Sequence, residues 1–244
     1  MKKVASFALL LSFSLPVFSA PPAHWTYEGK AGPEHWADLS PEFATCHSGK
    51  FQSPIDIRMP IDAQLPALKL SFHSAAEKIV NNGHTLQVTV NDEADFPLDG
   101  ETFTLMQYHF HTPSENLING KSFPLEAHFV HSNEQGELAV VAVMFEVGAE
   151  NSALKPILQA LPDEENKTVD VGARYDLKPL FPDNLSYYRF SGSLTTPPCT
   201  EGLRWLVLKK PVTLSAEQLA VFQKALRHSN NRPVQPLHGR MIVE

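Results

Sequence analysis

The chain has 244 residues, of which 43% are hydrophobic and 19% are charged, and its formal net charge at neutral pH is −7. This length and composition are those of one large all-β or mixed globular domain rather than a disordered chain. The acidic balance and the lack of a basic run argue against a nucleic-acid partner, because such proteins gather Lys and Arg against phosphate groups.

The N-terminus has the pattern of an export signal. Two lysines precede an apolar run over residues 4–17, which is too short to span a bilayer comfortably. Small residues at positions −3 and −1 predict cleavage after Ser19, which gives a signal peptide over residues 1–19 and a mature domain over residues 20–244. Loss of the two lysines takes the formal charge from −7 to −9. The alternative is an uncleaved anchor, and no other stretch has the pattern of a membrane span.

The chain contains two cysteines, Cys46 and Cys199. We expect the mature protein in a bacterial periplasm, or outside the cell if the host has one membrane, and disulfides persist in both places. One intramolecular bridge is therefore predicted, with two free thiols as the alternative. A bridge would restrain the adjoining residues 195–198, and closing so long a loop would stabilise the fold by about 4–5 kcal/mol in the chain-entropy view.

Apolar patterning predicts that strands dominate the fold. No repeat or linker divides the chain, and 20 prolines punctuate many short segments. Strands are predicted over residues 86–90, 103–111, 125–131, 138–146 and 204–209. The run 138–145 is apolar on both faces, which is typical of a central strand that is covered on both sides.

Two helices are also predicted. In the first, apolar residues recur with helical spacing from Leu154 to Leu161. The second begins at Ser215, where Gln218 three residues later completes a capping box. Neither helix carries residues with an evident chemical role, so both are expected at the periphery.

Three histidines form the most informative pattern in the chain. His109 and His111 are two residues apart on a predicted strand, so both rings face one side and the residues next to them face the other. His128 follows after enough chain for a turn and a second strand. Three neutral imidazoles leave one position of a tetrahedral zinc ion open for water, as in catalytic sites. The alternative is a set of ordinary buried strand histidines.

Two polar residues share strand faces with these histidines. Gln107 lies on the face of His109 and His111, and Glu126 lies on the face of His128. Metal-bound imidazoles usually donate their second ring N–H to a carboxylate or carbonyl group, so Gln107 and Glu126 are predicted to orient the ligands. The alternative is that both are simply polar strand positions.

Further short motifs accompany the histidines from about His24 to Arg240. In chain order, the motifs are His24-Trp25-Thr26-Tyr27, Gly32-Pro33-Glu34-His35-Trp36, Gln52-Ser53-Pro54-Ile55-Asp56-Ile57, Asn81-Asn82-Gly83-His84, His109-Phe110-His111, Glu126-Ala127-His128, Ser193-Leu194-Thr195-Thr196-Pro197-Pro198 and Asn231-Arg232-Pro233. Together they resemble the α-class carbonic anhydrases over nearly the whole mature chain.

The resemblance implies a single domain of mainly β (α+β) structure, with one large twisted, mostly antiparallel sheet and a few peripheral helices. It also implies one Zn²⁺ per chain, held by His109, His111 and His128 at the bottom of a cone-shaped cleft. The implied reaction is the reversible hydration of carbon dioxide to bicarbonate and a proton by zinc-hydroxide attack. A pKa of about 7 for the zinc-bound water is the value known for carbonic anhydrases themselves.

The resemblance assigns orientation of the attacking hydroxide to Thr195. A hydroxyl that accepts the hydroxide's proton, and donates its own to a buried carboxylate, aims the lone pair at the substrate. The carboxylate implied is Glu115, for which a solvated turn residue is the alternative. The Thr195 N–H can stabilise developing negative charge, and Thr196 is implied beside the bicarbonate.

The resemblance makes His84 the proton shuttle. The proton released in each turnover must reach buffer, and an unperturbed imidazole exchanges protons well near neutral pH. Bridging waters would carry the proton to His84, and Tyr27, Asn82 and Gln87 are the residues expected to hold them. Without the neighbouring motifs, His84 would read as an ordinary turn histidine.

Carbon dioxide needs an apolar wall beside the hydroxide. The resemblance places this wall at Val130, Val140, Leu194, Leu203 and Trp205. By strand alternation, His131 faces away from His128, so we predict that it is buried behind the site and is no ligand.

Two other functions compete with this interpretation. A non-catalytic binding module on the same fold is disfavoured, because the chain keeps all three histidines together with Thr195. A zinc hydrolase that acts mainly on esters would use the same site, although the chain has no His-Glu-x-x-His helix of a peptidase. The sequence carries no indication of oligomeric state.

Overall fold

The computed structural model describes residues 23–71, 76–90, 95–171 and 176–244. The predicted signal peptide over residues 1–19 and its cleavage site lie outside these ranges and stay predictions. Within the described ranges, no helix combines the length and the apolar character needed to cross a bilayer.

Twelve strands form in this part of the chain. They are β1 (Asp56–Ile57), β2 (Ala76–Asn81), β3 (Leu86–Val90), β4 (Asp95–Leu98), β5 (Glu101–His111), β6 (Leu117–Ile118), β7 (Leu125–Ser132), β8 (Leu138–Val147), β9 (Thr168–Asp170), β10 (Tyr187–Ser193), β11 (Glu201–Leu208) and β12 (Val212–Leu214). The five predicted strands correspond to β3, β5, β7, β8 and β11, and their ends differ from prediction by at most three residues.

Helices are short and few among the described residues. The α-helices are α1 (Trp36–Leu39), α2 (Thr45–Ser48), α3 (Leu154–Gln159) and α4 (Ala216–Leu226), and single 3₁₀ turns occur at Gly29–Ala31, Pro33–His35, Pro41–Phe43 and Lys178–Leu180. The two predicted helices are α3 and α4, although α3 ends before Leu161. The capping box of α4 is present, since the Ser215 side chain accepts from the Gln218 N–H and the Gln218 side chain accepts from the Ser215 N–H.

Most strands join one large sheet. Its order is β10-β11-β8-β7-β5-β3-β2-β9, with β12 also paired to β8 and β4 also paired to β5. Among the described strands of this sheet, pairing is antiparallel except where β11 and β12 run parallel to β8. A separate parallel ribbon joins β1 to β6. The predicted fold class, a large and mostly antiparallel sheet with peripheral helices, is confirmed.

The sheet separates two apolar layers, and β8 contributes to both. Val141, Val143 and Phe145 face a layer that also contains buried residues of α3 and α4. Val140 and Ala142, on the opposite face, join a layer that includes Trp205 and Leu203 of β11. This alternation confirms the prediction of a central strand covered on both sides.

The predicted disulfide joins Cys46 in α2 to Cys199 in the loop between β10 and β11. The Cys199 N–H donates to the Thr196 carbonyl at 2.8 Å. The Cys199 carbonyl accepts from Gln52 Nε2 at 3.0 Å. The loop that carries Thr195 and Thr196 is therefore fixed to the N-terminal segment by the disulfide and by the hydrogen bond from Gln52.

His131 is buried behind the sheet, as its strand position predicts. Its ring lies edge-on to Phe96, with ring centroids 4.8 Å apart, and its Nδ1 lies 2.9 Å from the Phe129 carbonyl oxygen. Burial lowers the pKa of His131 from 6.5 to about 4, because the charged ring would lose its hydration. The folded protein therefore keeps this ring neutral over a range in which the unfolded chain protonates it.

This difference predicts that acid destabilises the fold partly through His131. The pKa of His131 is lower in the folded protein than in the unfolded chain, so its effect on the free energy of unfolding is fully present above pH 6.5. As the pH falls toward 4, the free energy of unfolding should drop by about 3 kcal/mol in total from this residue. Urea unfolding of the parent and of a His131→Gln variant across this range measures it. The variant's free energy of unfolding should fall less steeply with acid, and parallel curves would contradict this account.

Candidate active site

Strand register brings the three predicted histidines together. In the antiparallel pair of β5 and β7, His109 lies directly opposite His128, and His111 follows two residues later on the same face. The ring centroids of the three histidines are separated by 5.1, 5.3 and 4.5 Å. One ring nitrogen from each lies within 4.8 Å of those of the other two, which is close enough for a single metal ion.

A different acceptor engages one nitrogen of each ring. His109 Nδ1 lies 2.9 Å from Gln107 Oε1, His111 Nδ1 lies 2.7 Å from the Asn230 carbonyl oxygen, and His128 Nε2 lies 2.9 Å from Glu126 Oε1. These oxygens only accept, so each fixes the N–H on the nitrogen that faces it. The remaining lone pairs, on His109 Nε2, His111 Nε2 and His128 Nδ1, are then free to bind a cation.

Glu126 is itself held by several donors. Its Oε1 accepts from Asn116 Nδ2 at 2.8 Å, and its Oε2 accepts from the N–H groups of Glu115 and Asn116 at 2.7 and 2.9 Å. Burial nevertheless raises the pKa of Glu126, while the Asn116 and Glu115 donors and the His111 ring oppose that rise. A positive charge on the histidines would favour its ionised form.

Two buried polar atoms at the site have hydrogen-bonding capacity that no protein group uses. Within the described residues, His111 Nε2 and Glu115 Oε2 have no hydrogen-bond partner, and they lie 3.5 Å apart. Buried polar atoms are rarely left unpaired, and three imidazoles with fixed tautomers are a typical donor set for zinc. The residues present therefore fit a zinc ion at His109, His111 and His128.

Burial keeps the three rings neutral. It lowers the pKa of His109 and His128 well below the ordinary value, and repulsion from the neighbouring rings adds to the effect. The pKa of His111 is also lowered by burial, although the Asn230 carbonyl and Glu126 oppose the shift. Neutral imidazoles are the form that binds a metal ion.

Glu115 is buried next to this cluster and is not a solvated turn residue. Its Oε1 accepts from the Arg232 N–H at 2.8 Å. Burial raises the pKa of Glu115 well above its ordinary value, while the Arg232 N–H, the Thr195 hydroxyl and the Arg232 guanidinium oppose the rise. Thr195 is therefore close to the carboxylate that the resemblance assigns to it.

Arg232 is the residue whose role the sequence did not indicate. Arg232 is 2% exposed, and its guanidinium donates to Gln52 Oε1 and to the Ser53 and Cys46 carbonyls, at 2.8 to 2.9 Å. Asn230 was also missed, because the group that contacts His111 is its backbone carbonyl. The motif Asn231-Arg232-Pro233 was the one signal that pointed to this segment.

A cavity of about 180 Å³ opens above the three histidines. Since a water molecule occupies about 30 Å³ in the liquid, the cavity has room for several waters or a small substrate. One wall is apolar, and it consists of Val130, Val140, Leu194, Leu203 and Trp205. The other predicted residues that line the cavity with the three histidines are Gln107, Thr195, Thr196, Tyr27, Asn82, His84 and Gln87, and Trp25 and Thr85 complete the lining. The structure thus brings these predicted residues to one cavity, while Glu115 and Glu126 lie behind it.

His84 lies at the rim, in a turn held by its own side chains. Asn82 Oδ1 accepts from the His84 and Thr85 N–H groups at 3.0 and 2.9 Å, so the amide oxygen shapes the turn. The His84 ring stacks on Trp25, with centroids 3.7 Å apart and planes 9° apart. Burial lowers the pKa of His84, repulsion from His24 and His228 lowers it further, and Glu165 opposes the shift.

Comparison with known proteins agrees with this geometry. Residues 31–244 match the family model of the eukaryotic-type carbonic anhydrases. The chain is 51% identical to a carbonic anhydrase of Pectobacterium carotovorum over the full length of both chains. The fold and the family match define a carbonic anhydrase, an enzyme of the lyase class, and this chain belongs to the eukaryotic-type, or α-class, carbonic anhydrase family.

Solved structures of this family have the same fold. The α-carbonic anhydrase of Thermovibrio ammonificans, in complex with the inhibitor sulfanilamide, is 48% identical with a TM-score of 0.89, covering 92% of this chain and 100% of that chain. The α-carbonic anhydrase of Photobacterium profundum is 46% identical with a TM-score of 0.86, covering 91% of this chain and 100% of that chain.

The hydrogen bonds of Glu126 predict that it controls metal affinity through His128. In a Glu126→Gln variant, an amide N–H₂ would replace one carboxylate oxygen and would face N–H donors instead of accepting from them. The His128 ring would then lose its fixed orientation. We expect zinc affinity to fall by about 10- to 100-fold, as for other residues that orient a metal ligand. Competition with a coloured chelator measures the affinity. Glu134→Gln, in the exposed turn after β7, is the control, and equal affinities in both variants would contradict the prediction.

Proposed function

We propose that this chain is a zinc enzyme that reversibly hydrates carbon dioxide to bicarbonate and a proton, and that His84 exports the proton. The observation that supports it best is the set of three histidine rings, each with one nitrogen engaged by an acceptor and the other turned toward a common point. A zinc ion held there would act as a Lewis acid and make water acidic enough to supply a nucleophile at neutral pH, as is known for carbonic anhydrases.

Thr195 and Glu115 would orient the nucleophile. Glu115 is fixed by the Arg232 N–H and faces the Thr195 hydroxyl. If the carboxylate accepts the hydroxyl proton, the Thr195 oxygen must act as an acceptor toward the cavity. The attacking oxygen would then donate to Thr195 and direct a lone pair toward the substrate. Because its orientation is fixed before the reaction, the entropic part of the activation barrier is lower.

The apolar wall would bind carbon dioxide. Val130, Val140 and Trp205 line the cavity on the side next to His128, and the Trp205 ring lies edge-on to His128 with centroids 4.9 Å apart. A linear molecule without a net dipole gains more from apolar contact than from hydrogen bonds. Thr195 and Thr196 line the same cavity, where the Thr195 N–H could stabilise the negative charge of bicarbonate.

Residues at the rim would carry the proton outward. Tyr27, Asn82 and Gln87 line the same cavity as the three histidines and His84. They can hold waters that pass a proton to the His84 ring, and burial makes this ring give its proton up more readily than free histidine.

The mature enzyme would act outside the cytoplasm. The predicted signal over residues 1–19 and the Cys46–Cys199 disulfide both support export to the periplasm, or secretion from a host with one membrane.

Stopped-flow hydration of carbon dioxide on the mature chain, together with its metal content, tests the proposal. We expect rapid turnover, about one zinc per chain, and loss of activity with a strong chelator that added zinc reverses. A His128→Ala variant should lose both zinc and turnover. A zinc-loaded parent without turnover would overturn the proposed reaction, and a folded parent that binds no zinc would overturn the proposed site.

The shuttle assignment makes a separate prediction for His84→Ala. This variant should keep its zinc and its kcat/KM, because His84 is remote from bond formation at the metal. Its kcat should fall on the order of tenfold or more in dilute buffer and recover in concentrated imidazole, which replaces the missing base. Turnover at the parent rate in dilute buffer would show that His84 is not the shuttle.

A further inference from the structure

A second cavity adjoins the rim of the catalytic cavity, and His84 lies between the two. This outer cavity has a volume of about 590 Å³, and titratable groups dominate its lining: His24, Tyr27, Glu28, His84, Glu165 and His228. Of these, only Tyr27 and His84 also line the catalytic cavity. A proton that reaches His84 therefore faces further bases before it reaches bulk solvent.

His228 has hydrogen-bond partners that suit a proton carrier. Its Nδ1 lies 3.0 Å from the Ser229 carbonyl oxygen, and its Nε2 lies 3.3 Å from the Gly83 carbonyl oxygen. A neutral imidazole can donate from one nitrogen only, so the other then directs a lone pair at a carbonyl oxygen. The two carbonyl oxygens therefore provide an acceptor for each ring N–H that the protonated ring would carry.

His228 is attached to the same turn as His84. Its Nε2 faces the carbonyl of Gly83, the residue before His84, and Asn230 Nδ2 donates to the His84 carbonyl at 3.0 Å. His228 also lines a further cavity, together with Arg227 and Gln223. His228 therefore borders both the outer cavity and this further cavity.

Electrostatic repulsion couples His228 to His84. Positive charge on His228 or on His24 lowers the pKa of His84, after the larger effect of burial, whereas the Glu165 carboxylate raises it. A proton held at His228 consequently disfavours a second proton at His84. The groups that face this pair are His24, Tyr27, Glu28 and Glu165 in the outer cavity, and Arg227 at the end of α4.

We propose that His228 is a second proton-accepting residue, which takes the proton from His84 through water in the outer cavity and delivers it to buffer. The proton adds to His228 Nε2, the ring becomes a cation that donates to the Gly83 and Ser229 carbonyls, and a buffer base then removes the proton and restores the neutral ring. This step extends the proton export of the proposed function and rests on it.

The test compares His228→Gln with the parent in zinc-loaded enzyme. Glutamine keeps a polar donor at this place but cannot carry a proton. In dilute buffer we expect kcat to fall by about two- to fivefold, since buffer can still reach His84 directly. The value of kcat should recover in concentrated imidazole, and kcat/KM should not change. His47→Gln, at an exposed histidine outside the lining of both cavities, is the matched control and should behave as the parent.

The pH profile of kcat gives a readout that a purely structural role would not move. Removing positive charge at His228 should raise the pKa of His84, so the acidic limb of the profile moves to higher pH. Glu165→Gln removes the opposing charge and should move the same limb to lower pH. Thermal unfolding of each variant identifies any loss of fold.

The outcomes separate the two proposals. If the zinc-loaded parent does not hydrate carbon dioxide, the proposed function fails. If the parent is active and His84→Ala depends on buffer, but His228→Gln matches the parent in dilute buffer and in pH profile, His228 is no proton carrier. A fall in kcat/KM, or a fall in kcat that imidazole does not reverse, would likewise overturn the second proposal and assign His228 a structural role.

Discussion

The register between β5 and β7 is the constraint on which the rest of the site depends. Because side chains alternate on a strand, a slip of one residue would turn His128 to the apolar layer and place its neighbours toward the cavity. The register is fixed by what lies behind it. Tyr108 and Phe129 are paired across the two strands and stack with ring centroids 5.1 Å apart, within the buried apolar layer. The polar site is therefore positioned by its apolar reverse face.

The sequence predicted the β5–β7 pair well, because both the histidines and the apolar residues on the reverse face follow strand alternation. Strands β5, β7 and β8 are long, and β8 is apolar from Leu138 to Phe145, so their patterns stand out. Strands β10 and β12 were missed: β10 lies at an edge of the sheet, and β12 is three residues long and pairs with the end of β8. Tertiary neighbours rather than residue preference decide the conformation there. Helix α3 ends earlier than its apolar spacing suggests, and Leu161 instead packs against the core from outside the helix.

Site residues were predicted where a side chain carries the chemistry and were missed where the backbone does. Gln107 and Glu126 could be recognised because their side chains accept from the rings. The Asn230 carbonyl and the Arg232 N–H could not, since every residue has such groups and only the tertiary structure selects which ones are used. The stacking of Trp25 on His84 is of the same kind, because it joins segments that no local pattern relates.

Asn230 and Arg232 lie far along the chain from the strand that they support, and this has a consequence for the order of folding. Both residues contact groups on or beside β5, across sequence separations of 119 and 117 residues. A partly folded chain in which β5 has paired with β7 therefore has the histidines together but lacks two of their supports. Contacts that close such long stretches of chain form slowly, so the candidate metal pocket is expected to be completed after the strand pair that carries it. High metal affinity is thereby reserved for the completely folded domain.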